Sequence, residues 1–245
     1  MRPGLSTASL RNQLQQVVLI LYWLLVVLDV IFLYFDLPYV AVTATLLIPL
    51  LLLYVLLNDD NIANPPAKLF FYGGLFLAFL GDVCQLVVQN QLFFISSLVA
   101  FMLMNVCYSI SFHNLNRKGL QKPFPFLLTS LLLVIMGYVF LQVLGDRLAG
   151  GYRLPLILYM ITLIVMAALV INAANNKDNY VIAVRYLLPG VFLFILQNLI
   201  FGWNLFGAGG HSHGFVYSIV PYSIAQFLLV KGILQLYLKK KQVRQ

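Results

Sequence analysis

Apolar stretches of roughly 20 residues follow one another along this chain, parted only by short polar breaks, and that succession decides the fold class. Each stretch is long enough for a helix to cross a bilayer. Backbone N–H and C=O groups in hydrocarbon find no water, so they must pair within their own segment, which a helix achieves. Reading between the breaks predicts helices near 14–35, 38–57, 69–89, 92–112, 124–144, 154–174, 182–203 and 215–238. Of the 245 residues, 62% are hydrophobic and 9% charged, whereas a soluble domain carries about 25% charge. The spans use roughly 160 positions, which leaves no room for a separate soluble domain. The expected fold is all-α: a polytopic membrane protein with eight transmembrane helices in one bundle, forming a single domain over 1–245.

The breaks at 58–66, 113–123, 145–153, 174–179 and 204–214 carry turn-forming Pro, Gly and Asn. Pro49, Pro189 and Pro221 fall inside spans and mark kinks or irregularities. The first run is too long for a signal-peptide core and another span follows it at once, so it is expected to be retained. No internal repeat or low-complexity tract is present.

The net charge of +8 follows topology, and nucleic acid is not expected as a partner. With the N-terminus on one side, that side gathers eleven of the fifteen basic residues: Arg2, Arg11, Lys68, Arg117, Lys118, Lys122, Lys177, Lys239, Lys240, Lys241 and Arg244. The other side has Arg147 and Arg153; Arg185 and Lys231 lie within spans. The bias puts both termini in the cytoplasm. Short loops and the absence of targeting signals point to a bacterial inner membrane.

Polar side chains inside the spans need a partner or a task, because a charge at mid-membrane costs about 2.5–3.5 kcal/mol on insertion scales. Asp82 is the clearest case, about thirteen residues into the third span, with Gln85 and Gln89 at i+3 and i+7. It is either glue between helices or a desolvated acid able to give a proton. Asn105, Tyr108 and Ser109 share a stripe on the fourth span. Gln197 and Asn198 lie on the seventh, with Asn204 one heptad beyond Gln197, and Ser218, Tyr222 and Gln226 step along the eighth by four residues. Four polar faces suit a common internal cavity, with plain interhelical hydrogen bonding as the simpler reading. Asp29 and Arg185 lie near span ends and are expected to reach the interface.

No metal or cofactor is implied. His211 and His213 share a loop, but His113 is expected on the opposite side of the membrane, and zinc needs three or four ligands. Asp59, Asp60 and Asn61 lack a calcium loop's spacing. Cys84 and Cys107 read as small core residues. There is neither a Ser, His and Asp triad nor a Gly-rich phosphate loop.

The run Phe79-Leu80-Gly81-Asp82-Val83, then Phe101, Asn105 and Tyr108, resembles the YhhN family of eight-helix lysoplasmalogenase-like membrane proteins. Further matches follow in order: Tyr159 with Met166, Gly190 to Phe194 leading into Gln197 and Asn198, then Asn204 and Phe206, then Tyr222, Ala225 and Gln226. Four positions depart from the family pattern. Asn198 stands for its second aspartate, Gln197 for a serine, Asn105 for a histidine and Leu37, before Pro38, for a lysine.

The resemblance implies a lysophospholipid or other single-chain lipid as partner, with the vinyl ether of a lysoplasmalogen as the bond hydrolysed. Asp82 is then the general acid, and Asn105, Tyr108, Tyr159, Gln197, Asn198, Asn204, Tyr222 and Gln226 line the site. Two carboxyls could share the acid and base roles. With Asn198 in place of one, the expected activity is weak or absent, and a lipid-binding relative without turnover is the counterpart reading. A small transporter with Asp82 carrying a proton is a third class, but it lacks the inverted repeat expected of one.

Overall fold

A computed structural model describes residues 7–35, 37, 40–58, 65–87, 89–115, 122–145, 148, 150–207 and 216–242. Pro38, Asp59, Asp60, Asn61, His211, His213, Arg2, Arg117, Lys118, Arg147 and Arg244 lie outside these residues, as do the side chains of Lys240 and Lys241. Among the described residues every regular element is helical. In chain order these are α1 (Thr7–Tyr34), α2 (Val40–Leu56), α3 (Pro65–Gln85), α4 (Gln91–Leu115), α5 (Pro123–Leu144), α6 (Gly150–Ala174), α7 (Tyr180–Phe206) and α8 (Val216–Gln242). All except α2 are long and apolar enough to cross a membrane. α2 carries no charged residue but has only 17 residues, with Pro49 inside it. The chain is an integral membrane protein by the length and composition of these helices.

Local chemistry sets the helix ends. α5 opens on Pro123, which lacks an N–H to leave unpaired, after an extended Lys122 (φ −141°, ψ 102°). α4 is capped by Asn90, whose Oδ1 accepts from the Leu92 N–H at 2.9 Å. α3 stops at Gln85, four residues before the end expected from the sequence, although Leu86, Val87 and Val88 prolong the apolar run. The N–H groups of Leu86 and Val87 bond back only three residues, to Val83 and Cys84, and so close the helix. Asp82 therefore sits in the last turn of α3, and Gln89 falls in the exposed turn beyond it. The sequence reading puts Asp82 about thirteen residues into a span that ends at Gln89.

α7 departs from α-geometry over Ala183–Leu187, where the helix widens by one residue and the Leu188 N–H bonds to the Ala183 carbonyl. Pro189 follows, without an N–H to continue the regular ladder. The widened turn meets α8 closely. A Cβ on Gly232 would lie 2.3 Å from Leu187, and one on Gly190 would lie 3.1 Å from Leu229.

Seven helices form a closed circuit, α1 to α4, then α6, α7 and α8, with α8 returning to α1. α8 also reaches α2 and α4 and is the most buried span. α5 packs outside, mainly on α6, and is the least buried. The broadest contact joins α3 to α4. There Gly74 faces the Tyr108 ring and Gly81 the Phe101 ring, each seven residues apart on its own helix. Added Cβ atoms would fall 2.6 Å from Tyr108 and 2.7 Å from Phe101. Small residues let the backbones approach and the two rings fill the hollows.

This interlock makes a testable demand on stability. Gly81→Ala should destabilise the protein by about 1–3 kcal/mol as the Phe101 ring is pushed aside. The additional substitution Phe101→Leu should recover part of that loss. Thermal unfolding of detergent-solubilised protein reads both changes, and a Gly81→Ala protein as stable as the parent would refute the contact.

Candidate functional site

Asp82 is 8% exposed, and among the described residues its hydrogen-bond donor is a phenol. The Tyr222 hydroxyl from α8 lies 2.8 Å from Oδ1 and 2.9 Å from Oδ2. One hydroxyl carries one proton, so it bonds one oxygen at a time and the second stays available. The Tyr222 ring is held edge-on by Phe101 at 6.4 Å and tilted against Phe194 at 6.3 Å. Tyr22, Tyr108 and Asp29 lie close enough to Asp82 to interact with it electrostatically. Asp29 is fully buried on α1, five residues before the helix ends at Tyr34, and does not reach the interface as expected. The reason is that α1 packs on α8 as well as α2, so closeness to a helix end leaves it no solvent. Arg185 does sit at an exposed position near the start of α7, over the Tyr186 ring.

Three further phenols make ties of the same kind. Tyr108 on α4 donates to Gln226 Oε1 on α8 at 3.2 Å, and Gln226 Nε2 points at Met104 Sδ at 3.6 Å. Tyr22 on α1 donates to the Ser223 carbonyl at 2.7 Å. Tyr159 on α6 donates to Asn198 Oδ1 on α7 at 2.7 Å, and Asn198 Nδ2 returns to the Phe194 carbonyl at 2.7 Å. Thr162 Oγ1 donates to the Tyr159 carbonyl at 2.8 Å and accepts from Asn105 Nδ2 at 3.4 Å. Asn105 is fully buried near the Tyr159 phenol, and its Oδ1 has no hydrogen-bond partner. The same holds for Ser109 Oγ one turn along α4.

Beside these ties lies a cleft among α4, α5, α6 and α7, with Gln85 of α3 at its edge. It encloses about 820 Å³ of atom-free space, counting its open mouth. Its walls are leucines, isoleucines, methionines and phenylalanines, and its polar lining is Gln85, Tyr159 and Asn198. The lining suits a small hydrophobic ligand oriented by a few polar groups. Phe101 both lines the cleft and abuts Tyr222, so Asp82 stands behind it, one helical turn from Gln85.

The site residues expected from sequence thus divide. Tyr159 and Asn198 line the cleft, while Asp82, Tyr222, Tyr108 and Gln226 form ties next to it. Asn105 sits behind Tyr159; Gln197 is buried without joining these bonds, and Asn204 is half-buried outside the lining. Tyr22, Thr162 and the α5 wall were not anticipated. Tyr22, Val26 and Asp29 follow helical spacing, a signal that could have marked one buried face. Among the described residues no three His, Cys, Asp or Glu side chains stand together as metal ligands.

No curated protein and no solved structure matches this chain. A family model described as the YhhN family matches residues 39–233, which run from the start of α2 into α8 and include Asp82, Asn105, Tyr159, Asn198 and Tyr222. The match spans well over half of the sequence, and this chain belongs to the YhhN family.

Proposed function

We propose that this protein binds a lysophospholipid or similar single-chain lipid within the bilayer, with the alkyl chain in the cleft among α4, α5, α6 and α7. The observation that carries the reading is the cleft itself: apolar walls, three uncharged polar side chains, and Asp82 one turn from Gln85. The cleft is walled on its outer side by α5, the least buried span, which suits loading from the membrane.

The lysoplasmalogenase-like reaction would begin with protonation of the alkenyl carbon of a vinyl ether, giving an oxocarbenium ion. Water then adds, and the hemiacetal collapses to a fatty aldehyde and the glycerophospho head group. Asp82 is the acid for the first step. A second carboxylate to activate water is missing at position 198, where an amide can only orient it. Loss of such a group typically costs about 10² to 10⁴ in rate, so we assign this chain as a lipid-binding relative with reduced turnover.

The chain is one domain over 1–245, with both termini cytoplasmic by its basic-residue bias, in a bacterial inner membrane by its short loops. A fusion at the C-terminus to a reporter active only in the cytoplasm should be active. Activity of a reporter that works only outside the cytoplasm would invert the orientation.

Purified protein in nanodiscs should bind lysoplasmalogen and release aldehyde slowly. Asp82→Asn should abolish that release while leaving binding within about threefold, and Asn198→Asp should raise release by about 10-fold or more. Unchanged release from Asp82→Asn would remove this carboxyl from the chemistry. Absence of lysolipid binding by the parent protein would overturn the proposed function.

A further inference from the structure

The Phe101 ring stands where three parts of the structure meet. Its tip, the ζ carbon and both ε carbons, points at Gly81, where an added Cβ would lie 2.7–2.8 Å from these atoms. Its side meets the Tyr222 ring at 80°, with the centroids 6.4 Å apart. It also lines the cleft, beside Phe94 and Leu98 of the same helix. Gly81 is followed at once by Asp82, whose carboxyl accepts from Tyr222, and the next turn of α3 brings Gln85 to the cleft. The ring, only 6% exposed, therefore stands between the cleft and the acid.

Its surroundings leave it a way to move. An aromatic side chain on a helix has two open χ1 wells, about 120° apart, because the third would drive it into the preceding turn. The ring occupies one of them, seated on Gly81. Atom-free space lies on its cleft side, so a swing in that direction gives up the contacts with Gly81 and Tyr222 and finds room. Glycine makes the seat, since a side chain at position 81 would meet the ring tip and push it away.

We infer that the Phe101 ring is a door between the cleft and Asp82. Seated on Gly81, it keeps the carboxyl and the Tyr222 hydroxyl apart from whatever lies in the cleft; swung into the cleft, it uncovers them. Entry of a ligand and its contact with the acid are then two steps, and the second proceeds only in the fraction of time for which the ring is displaced. The inference deepens the proposed lipid reading, in which the occupant is a single-chain lipid and Asp82 the acid. The door is nonetheless a property of the chain by itself, and its test needs no lysolipid.

That test uses full-length protein in nanodiscs and dicyclohexylcarbodiimide, an apolar reagent that adds to a carboxylic acid and rearranges to a stable N-acylurea. Labelling of Asp82 is followed over time by peptide mass spectrometry, with Asp82→Asn as the blank. Phe101→Ala removes the door and should raise the rate at least about 10-fold over the parent. Gly81→Ala keeps the ring but unseats it, and should raise the rate severalfold. Phe101→Leu, a milder loss of volume, should also raise it severalfold. The same truncation in the core of α3, Phe71→Leu, where the ring packs on Tyr108 and Tyr237, should leave the rate within about twofold of the parent. Equal acceleration by Phe101→Leu and Phe71→Leu would mean general loosening and overturns the door. A rate unchanged by Phe101→Ala or by Gly81→Ala overturns it as well. Neither result touches the proposed function, which stands or falls on lysolipid binding measured separately.

Discussion

Four tyrosine hydroxyls hold the bundle together, and each crosses from one helix to another. Tyr22 joins α1 to α8, Tyr108 joins α4 to α8, Tyr159 joins α6 to α7 and Tyr222 joins α8 to α3. A phenol is an economical tie in a bilayer because its ring packs as an apolar body while its single O–H needs only one acceptor. Left unpaired in hydrocarbon, that O–H would carry the desolvation cost of a buried polar group. Each phenol therefore specifies its neighbour. Three of the four bonds meet on α8 within five residues, Tyr222 to Gln226, which accounts for α8 being the most buried span.

The same arrangement determines what the acid is able to do. Asp82 is at once the acid of the proposed reaction and the acceptor that secures α3 to α8. Phe101 and Phe194 wall in its partner, and Phe101 also occupies the hollow left by Gly81. Access to the carboxyl from the cleft therefore depends on the ring of Phe101, which both wedges α3 against α4 and forms the cleft wall. Packing and chemistry are coupled through one aromatic side chain.

Much of the topology was legible in the sequence because the run length of apolar residues is a direct measure of membrane thickness, and the eight helices fall close to the expected spans. The polar stripe Ser218, Tyr222 and Gln226 was legible for the same reason: a four-residue step keeps one face. Hydropathy cannot see where a helix closes, so Leu86, Val87 and Val88 extended α3 on paper and moved Asp82 away from its true place in the last turn. Nor could it show that Asp29 is covered, since burial near a helix end depends on the neighbour. The cleft was invisible because its walls are ordinary Leu, Met and Phe residues on four helices. Only their packing distinguishes them from the core.

Two of the four departures from the family pattern come together in space. Asn105 and Asn198 are 93 positions apart in sequence, yet both gather around Tyr159: Asn198 accepts its hydroxyl, and Asn105 bonds Thr162, which in turn bonds the Tyr159 carbonyl. By resemblance these are the positions of a histidine and an aspartate, two groups that exchange protons near neutral pH or carry charge. Replaced together by amides, they leave a cluster that donates and accepts hydrogen bonds at fixed charge across the physiological range. A single replacement would have left a titratable group facing a neutral one at the same phenol. With amides at both places the whole cluster is neutral, and the amide that accepts from Tyr159 is the one that lines the cleft.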